Sequence, residues 1–287
     1  MGSIPELICP APAKLNLFLL VTGRRPDGYH TLQTLFRFID RADRLTFRLR
    51  DDGQVRRITD LPGVEAEHDL SVRAARLLQE ATGSRLGVDL ALEKNLPLGG
   101  GLGGGSSDAA TTLLALNRLW NLRLPRADLQ QLGLKLGADV PVFIFGRNAF
   151  AEGIGERLQA VALPPAWYLV LVPPVAVSTA SVFADPALTR STTPVTIRAF
   201  SEGCDPSDPL WRNDLETVVC RRYVQVADHL QWLRQFGPAA LTGSGACVFC
   251  PFDSETVTRS VLEQLPVGMQ GFVAEGLPEH PLLDWAQ

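Results

Sequence analysis

Six of the seven residues from Gly99 to Gly105 are glycine, and this run constrains the fold of the chain more than any other feature. It continues through Ser106 and Ser107 into residues 109–120, whose apolar side chains have helical spacing. Glycine lets backbone N–H groups approach an anion, and a helix start adds unpaired donors and a positive dipole end. Because a strand pattern at residues 88–93 precedes the run, a flexible linker is the weaker alternative. The run therefore predicts a loop that binds nucleotide phosphates.

Three other phosphate-binding patterns do not fit this loop. A Walker A loop ends in Gly-Lys-Ser/Thr, whereas Gly105 is followed by Ser106 and the loop contains no lysine. The dinucleotide fingerprint is matched by residues 99–104, but the acid that it needs after the next strand is missing, since Asp128 lies in a helical stretch. The His-Arg-Asp and Asp-Phe-Gly motifs of protein kinases are also absent.

Composition restricts the size and the partners of the protein. A chain of 287 residues is long enough for two domains or one elaborate domain. A net charge of −4 argues against nucleic-acid binding, because such proteins usually carry a basic domain. No apolar run reaches the length of a membrane span, and residues 1–5 do not resemble a secretory leader. We therefore expect a cytoplasmic protein that binds neither nucleic acid nor membrane.

The five cysteines do not form a disulfide framework or a zinc site. Cys247 and Cys250 lie in a strand pattern, where positions three apart face opposite sides of the sheet. No second Cys-x-x-Cys pair exists to complete a zinc site. We expect both thiols to be buried; the remaining cysteines are Cys9, Cys204 and Cys220.

Periodicity predicts a mixed α+β fold. Period-two patterns predict strands in the opening residues, with one at residues 14–19, one at 32–38 and one at 45–49. Helical spacing begins near Asp69 and ends near Gly83, and a shorter helix begins at Pro125. A buried strand is predicted at residues 169–172, a loop-like stretch at 189–208, and two helices from Asn213. A strand, a helix and a strand then follow, at residues 247–250, 254–265 and 272–274.

Four stretches of the chain resemble the GHMP kinase superfamily, the small-molecule kinases named for galactose, homoserine, mevalonate and phosphomevalonate. Within it, the chain is most similar to the kinases of the non-mevalonate isoprenoid route whose acceptor carries a cytidine diphosphate group. The stretches are residues 12–17 running on to 28–34, 96–110, 136–143 and 241–249. The resemblance implies a two-domain GHMP kinase fold with the active site between the domains. Residues 1–165 would resemble ribosomal protein S5 domain 2 and carry the ATP loop, and residues 166–287 would be ferredoxin-like.

The resemblance implies two catalytic residues, Lys14 and Asp139. On spacing alone, Asp139 is more simply a helix N-cap, because it precedes Val140-Pro141. In the family, the aspartate of Leu-Gly-Ala-Asp-Val-Pro receives the proton of the acceptor hydroxyl, and the two roles are compatible. Lys14 shares a strand face with Asn16, and the family places a lysine here beside the aspartate, where it holds the acceptor hydroxyl.

The nucleotide site is expected to bind ATP with Mg²⁺. The hydroxyls of Ser106, Ser107 and Thr111 lie at the loop exit, and the sequence does not decide which of them cap the helix and which hold phosphate or Mg²⁺. We assign no residue as a metal ligand. The family also has a lysine near the adenine, which corresponds to Lys94. The expected nucleotide-binding residues are Lys94, Pro97, Gly99, Gly100, Gly101, Leu102, Gly103, Gly104, Gly105, Ser106 and Ser107.

The acceptor site is expected to bind a cytosine ring. In the family, a tyrosine and a phenylalanine sandwich this ring, and a histidine reads its polar edge, as proteins generally do with unpaired bases. The residues at these positions are Tyr29, Phe183 and His30, and the resemblance assigns Asn16 and Thr179 to the same site. Without the resemblance, a lone loop aromatic or histidine is more often a packing residue.

One position departs from the family pattern. The family commonly has Asp-Asn-Leu before the first helix, where the asparagine lines the adenosine, and this chain has His68-Asp69-Leu70. Asp69 can still accept hydrogen bonds and cap the helix, but it lacks the amide donors. A contact of this position with adenine or ribose is therefore expected to differ.

The sequence thus predicts an ATP-dependent kinase that phosphorylates a hydroxyl of a small alcohol carrying cytidine diphosphate. Two alternatives stay open. A mevalonate or homoserine kinase of the same superfamily would have no use for Tyr29, His30 and Phe183. A non-catalytic ligand-binding regulator on this fold could dispense with Lys14 and Asp139. We expect a monomer or a homodimer.

Overall fold

A computed structural model of the chain describes residues 6–197 and 211–286. Its strands are β1 (Glu6–Arg24), β2 (His30–Arg50), β3 (Val55–Arg57), β4 (Gly87–Glu93), β5 (Ala149–Glu152), β6 (Arg157–Ala160), β7 (Trp167–Leu171), β8 (Ala240–Leu241), β9 (Val248–Phe252) and β10 (Gly271–Glu275). Its helices are α1 (Leu70–Thr82), α2 (Gly104–Leu119), α3 (Arg126–Leu134), α4 (Val140–Phe145), α5 (Thr179–Phe183), α6 (Glu216–Arg222), α7 (Val224–Leu233) and α8 (Glu255–Leu262), with a short 3₁₀ helix at Leu283–Trp285.

The first sheet is built around the long antiparallel pair β1 and β2. Its strand order is β3-β4-β2-β5-β6, and β1 pairs with β2. Helices α1 to α4 contribute to the core of this half, and almost every side chain of α2 from Ser107 to Asn117 is buried. Helix α1 begins where the sequence predicts, because Asp69 caps it and Gly83 ends it at a φ of 68°.

The second sheet has the order β10-β7-β9-β8 in the described part of the chain. It shares a second core with helices α5 to α8, and β1 adds Leu19 and Val21 to this core. The predicted buried strand at residues 169–172 is β7, and the predicted closing strand, helix and strand are β9, α8 and β10. The two helices predicted after Asn213 are α6 and α7.

Two further features join the halves. A third core lies between the sheets and includes Leu15 and Leu35 from the first sheet with Val170 and Phe249 from the second. Residues 277–286 then return to the first half, where the backbone N–H of His280 donates to Gly146 at 2.9 Å. Arg126 donates to the carbonyls of Leu283 and Ala286 in the same region, so these late residues complete the first core.

Two expectations about local structure can be compared with the fold. The strands predicted separately at residues 32–38 and 45–49 are one continuous strand, β2, because it pairs with β1 along most of its length. The described part of the loop-like stretch, residues 189–197, contains no helix or strand, and the rest lies outside the described residues. No helix in the described ranges has the length and apolar character needed to cross a membrane.

The predicted burial of Cys247 and Cys250 is confirmed. Cys247 and Cys250 are fully buried and belong to cores on opposite sides of the second sheet. Burial raises the pKa of each thiol to about 12. Cys9, Cys220, Cys247 and Cys250 are free thiols, and Cys204 lies outside the described residues.

Candidate active site

A cleft of about 830 Å³ is lined by residues of both halves of the fold. It brings together nearly all the side chains and loop residues that the sequence predicts for the site. Those that line it are Lys14, Asn16, Tyr29, His30, Lys94, Pro97, Gly99, Gly100, Gly101, Leu102, Gly103, Gly104, Gly105, Ser106, Asp139, Thr179 and Phe183. Ser107 does not line it, because its side chain is buried and its hydroxyl donates to the Pro12 carbonyl at 2.7 Å.

The glycine loop ends directly in helix α2. Gly103 is the N-cap residue with a φ of 73°, and the helix has no side-chain cap. A Cβ at Gly103 would lie 2.9 Å from the Phe143 ring and 3.0 Å from Lys14 Cε, so both conformation and space require glycine there. The first N–H groups of a helix have no acceptor within the helix, which leaves these donors at the cleft wall for an anion.

The loop is held in place by a second glycine segment from the other half of the fold. The N–H of Cys247 donates to the Gly100 carbonyl at 3.1 Å, and the Thr242 hydroxyl donates to the Gly101 carbonyl at 3.3 Å. A Cβ at Gly101 would lie 2.2 Å from the backbone carbonyl oxygen of Thr242. The position of the loop therefore depends on close contact between the two halves.

Lys14 is a buried cation that lines the cleft. Its ammonium lies 2.5 Å from Asn16 Oδ1, 3.1 Å from the Gly101 carbonyl and 3.2 Å from Asp139 Oδ2. The side chain is 2% exposed, and the Phe36 ring lies 5.5 Å away. The shared face predicted for Lys14 and Asn16 is confirmed by their hydrogen bond. Asn16 also donates to the Thr34 hydroxyl at 2.9 Å, which orients its oxygen towards the lysine.

Asp139 stands at the N-cap position of α4 without capping it. Its side chain accepts no hydrogen bond from the first turn, and Pro141 in that turn has no N–H to offer. The interpretation of Asp139 as a side-chain cap is therefore wrong. The carboxylate is 38% exposed and lies in the cleft beside Lys14, so it is accessible to a ligand.

The far end of the cleft contains the aromatic residues. The rings of His30 and Phe183 are stacked, with centroids 5.0 Å apart and planes 29° apart. Tyr29 is 60% exposed in the loop before β2. Thr179 begins α5 after the cap Ser178, and its hydroxyl lies 2.6 Å from that of Ser244 in the second glycine segment.

Lys94 lies beneath the glycine loop in a buried cluster of charges. It pairs with Asp43 and, at 2.8 Å, with Asp108, and a Cβ at Gly104 would lie 3.3 Å from its ammonium. Burial raises the pKa of Asp108 to about 7 against the opposing effect of Lys94. Thr111, one turn further along α2, is fully buried and lies outside the cleft lining.

The departure at Asp69 has a structural explanation. One carboxylate oxygen accepts from the Ser71 N–H at 2.8 Å, and the other pairs with Arg57 at 3.0 Å. Asp69 is 5% exposed and does not line the cleft. Arg57 thus stabilises an acid at a position where the family commonly has an amide.

Several residues of the site were not predicted from the sequence. Asp43 and Asp108 flank Lys94, Ser244 contacts Thr179, and Arg190 contacts His30. Of these, Ser244 and Asp108 lie in segments whose patterns indicate function, residues 241–249 and residues 96–110. The others are recognised through contacts between distant parts of the chain.

Comparison with known proteins agrees with this arrangement. The family described as GHMP kinases N terminal domain matches residues 69–147, and GHMP kinases C terminal matches residues 210–266. The chain is 60% identical to the 4-diphosphocytidyl-2-C-methyl-D-erythritol kinase of Nitrosospira multiformis over all of this chain and 97% of the relative. It is 61% identical to the enzyme of the same name from Thiobacillus denitrificans over 96% of this chain and 97% of that one.

Solved structures give the same result. A crystal structure of 4-(cytidine 5'-diphospho)-2C-methyl-D-erythritol kinase matches with a TM-score of 0.82 and 36% identity, covering 94% of this chain and 99% of that chain. The Methanococcus jannaschii mevalonate kinase shares the fold, with a TM-score of 0.66 at 14% identity over 96% of this chain and 99% of that chain. The α+β architecture is therefore the GHMP kinase fold, and the chain belongs to the 4-diphosphocytidyl-2-C-methyl-D-erythritol kinase family of GHMP kinases.

Proposed function

We propose that the protein transfers the γ-phosphate of ATP to the 2-hydroxyl of 4-diphosphocytidyl-2-C-methyl-D-erythritol, a reaction of non-mevalonate isoprenoid precursor biosynthesis. The names of its relatives support this substrate. The observation that carries the proposal is the Lys14–Asp139 pair, which lies in one cleft with an anion-binding loop and an aromatic stack. A phosphoryl transferase needs these parts because its catalysis is mostly positioning and charge stabilisation.

In this mechanism Asp139 accepts the proton of the acceptor hydroxyl as that oxygen attacks the γ-phosphorus. The bond from the γ-phosphorus to the bridging oxygen breaks, and ADP leaves. The Asp139 carboxylate is accessible and not engaged in capping the helix, as a general base must be. Lys14 holds the attacking oxygen and balances negative charge on the phosphoryl group. Because Asn16 and the Gly101 carbonyl fix its ammonium, Lys14 is oriented before substrate binds.

The loop from Gly99 to Ser106 binds the phosphates of ATP through backbone N–H groups at the start of α2. Lys94 and Pro97 are assigned to the nucleotide side of the cleft. The Ser107 hydroxyl donates to the Pro12 carbonyl, so this side chain anchors the start of α2 to β1 and does not contact the phosphates.

Mg²⁺ fits this site as a companion of ATP. No group of three metal-binding side chains occurs among the described residues, and Mg²⁺ bound to a nucleotide does not need one. It usually takes one or two carboxylates, with waters and substrate phosphates completing the shell. Asp139 and Ser106 are two of the cleft residues that offer suitable oxygens. When bound, the ion neutralises charge on the phosphates.

At the acceptor end, Tyr29 and Phe183 stack on cytosine and His30 contacts its edge, with Asn16 and Thr179 assigned to the same substrate. The His30–Phe183 stack and the exposed Tyr29 support this assignment. A mevalonate or homoserine kinase would not need these rings, and a binding regulator would not need the Lys14–Asp139 pair.

The division into domains 1–165 and 166–287, the cytoplasmic location and the monomeric or dimeric state also stay proposals. The change from the first sheet to the second between β6 and β7 supports the division.

The deciding experiment is a coupled assay of ADP release with ATP, Mg²⁺ and a panel of acceptors. The panel contains the cytidyl-methylerythritol substrate, bare methylerythritol, mevalonate, homoserine and galactose. We expect release only with the cytidyl acceptor. Efficient turnover of bare methylerythritol would show that the enzyme does not require the cytosine group. Turnover of mevalonate or homoserine would show that the protein is a different GHMP kinase. No turnover with any acceptor would favour a binding protein.

A further inference from the structure

Arg190 makes four hydrogen bonds around the aromatic end of the cleft. Its Nε donates to His30 Nε2 at 3.0 Å, and its two terminal nitrogens donate to backbone carbonyls. The acceptors are Leu188 at 3.1 Å, Phe183 at 2.9 Å and Asp185 at 2.7 Å. A single guanidinium therefore joins the start of β2 to the segment that follows α5.

This contact determines which nitrogen of His30 carries the proton. A guanidinium has only donors, so the ring nitrogen that it contacts must present a lone pair. His30 Nε2 is therefore unprotonated, and in the neutral ring the hydrogen lies on Nδ1. Within residues 6–197 and 211–286, Nδ1 has no hydrogen-bond partner. His30 thus offers an N–H donor in a residue that lines the cleft.

The surroundings keep the ring neutral and oriented. Burial lowers the pKa of His30, and the charges of Arg190 and Arg24 lower it further. The ring is stacked on Phe183, whose backbone carbonyl is held by the same guanidinium. Arg190 therefore fixes the position of both aromatic partners and the proton of one of them.

We propose that Arg190 is a positioning residue that locks His30 as an Nδ1–H donor and thereby selects cytosine over uracil in the acceptor. This inference rests on the proposed function. Cytosine has an unprotonated nitrogen on its Watson–Crick edge, which accepts a hydrogen bond, whereas uracil carries a proton on the same atom. A donor that cannot change tautomer favours the first base. Without Arg190, the imidazole can move its proton to Nε2 and accept from uracil.

Arg190→Ala tests the proposal against a matched control, Arg24→Ala. Arg24 is an exposed cation near His30 that donates to the Gly28 carbonyl at 3.4 Å and not to the ring. We expect Arg190→Ala to raise KM for the cytidyl acceptor about tenfold, the factor for one ordinary net hydrogen bond, with kcat and KM for ATP nearly unchanged. We expect the cytidyl-over-uridyl preference to fall by about the same factor, and Arg24→Ala to change neither. Equal KM and equal preference in wild type and Arg190→Ala would overturn the proposal.

A second measurement determines the tautomer of His30 in the wild-type protein itself. Nitrogen-15 NMR of the free wild-type protein reports the tautomer of each of its four histidines, and His30→Gln identifies the signal of His30. We expect a protonated Nδ1 and an unprotonated Nε2 in wild type, and a mixture of the two tautomers in Arg190→Ala. A protonated Nε2 in wild type would contradict the proposal outright.

The two measurements also separate this inference from the proposed function. If wild type fails to phosphorylate the cytidyl acceptor, the proposed function is wrong, while the NMR result still tests the Arg190–His30 contact. If wild type is active and Arg190→Ala loses thermal stability but retains acceptor KM and preference, Arg190 is a structural residue and the inference is wrong.

Discussion

The ammonium of Lys14 lies 3.2 Å from a carboxylate oxygen of Asp139, and the lysine is buried whereas the aspartate is accessible. The pair therefore has one fixed member and one member that faces the ligand. Lys14 is held by Asn16 and the Gly101 carbonyl, both of which are independent of Asp139. We therefore expect Lys14 to keep its position when Asp139 is substituted.

Asp139→Asn is expected to lower kcat by about 10²-fold or more, because an amide cannot accept the hydroxyl proton. The melting temperature should change little, since Asp139 caps no helix and the amide oxygen can still accept from Lys14. Steady-state kinetics and thermal unfolding of the same sample check both parts. Asp128→Asn, at an exposed position in α3, is the control. A near-normal kcat in Asp139→Asn would exclude Asp139 from the chemical step.

Gly104→Val is expected to weaken ATP binding far more than acceptor binding. A Cβ at this position would lie 3.3 Å from Lys94 Nζ and 3.4 Å from Asp43 Oδ2, so the valine methyl groups would crowd this buried ion pair and displace the loop whose N–H groups bind phosphate. Calorimetric titration of each ligand measures the difference. The acceptor titration of the same variant, together with its melting temperature, is the internal control. Equal ATP affinity in a folded Gly104→Val protein would argue against the loop as the phosphate site.

Tyr29→Ala is expected to cost about 1 to 3 kcal/mol of acceptor binding, the usual range for a base stacked on an aromatic ring. Tyr29 is 60% exposed, so its removal should leave the fold intact. Titration with the cytidyl acceptor gives the loss, and titration of the same variant with ATP is the internal control. Unchanged acceptor affinity would mean that Tyr29 does not stack on the cytosine.

His30→Ala is expected to act differently from Tyr29→Ala, because it deletes the edge contact and the ring stacked on Phe183 but leaves Tyr29 in place. The ratio of kcat/KM for cytidyl and uridyl acceptors should fall, and ATP affinity should stay constant. Competition assays with both acceptors measure this ratio. An unchanged ratio would show that another group reads the base edge.

Asp108→Asn is expected to change how stability depends on pH. Burial raises the pKa of Asp108 from 3.8 to about 7, so between these values the native state binds a proton that the unfolded chain has lost. This residue's contribution to the free energy of unfolding is therefore present at low pH and lost as pH rises through about 7. Relative to Asp108→Asn, wild type should lose up to about 1.4 kcal/mol per pH unit over this window. Urea unfolding from about pH 5 to pH 8 tests this, and parallel curves for the two proteins would contradict it.

Local patterns predicted a large part of the site. The glycine run and the following helix could be read because both the conformational freedom of glycine and helical periodicity are properties of neighbouring residues. The shared face of Lys14 and Asn16 follows from strand alternation in the same way. Helix α1 was predicted with both ends, since Asp69 and Gly83 are local start and stop signals.

The features that were missed depend on contacts between distant residues. Arg190 has no local pattern that indicates a site, and its role near His30 becomes visible only when the chain folds α5 against β2. The cluster of Lys94, Asp43 and Asp108 likewise joins three separate elements. Local spacing also pointed to Asp139 as a cap, because a sequence does not show that its side chain turns away from the helix and towards Lys14.

The return of residues 277–286 to the first core has a consequence for how the protein is made. Helix α4, which follows Asp139, ends at Gly146, and the Gly146 carbonyl accepts from the N–H of His280. On a ribosome that adds about 5 to 20 residues per second, the residues around Asp139 emerge on the order of ten seconds before His280 does. During this interval the Gly146 carbonyl at the end of α4 lacks the N–H group that it contacts in the folded protein. The first core is therefore complete only after residues 277–286 have been translated, and chaperones that protect exposed apolar surface have the intervening time in which to act.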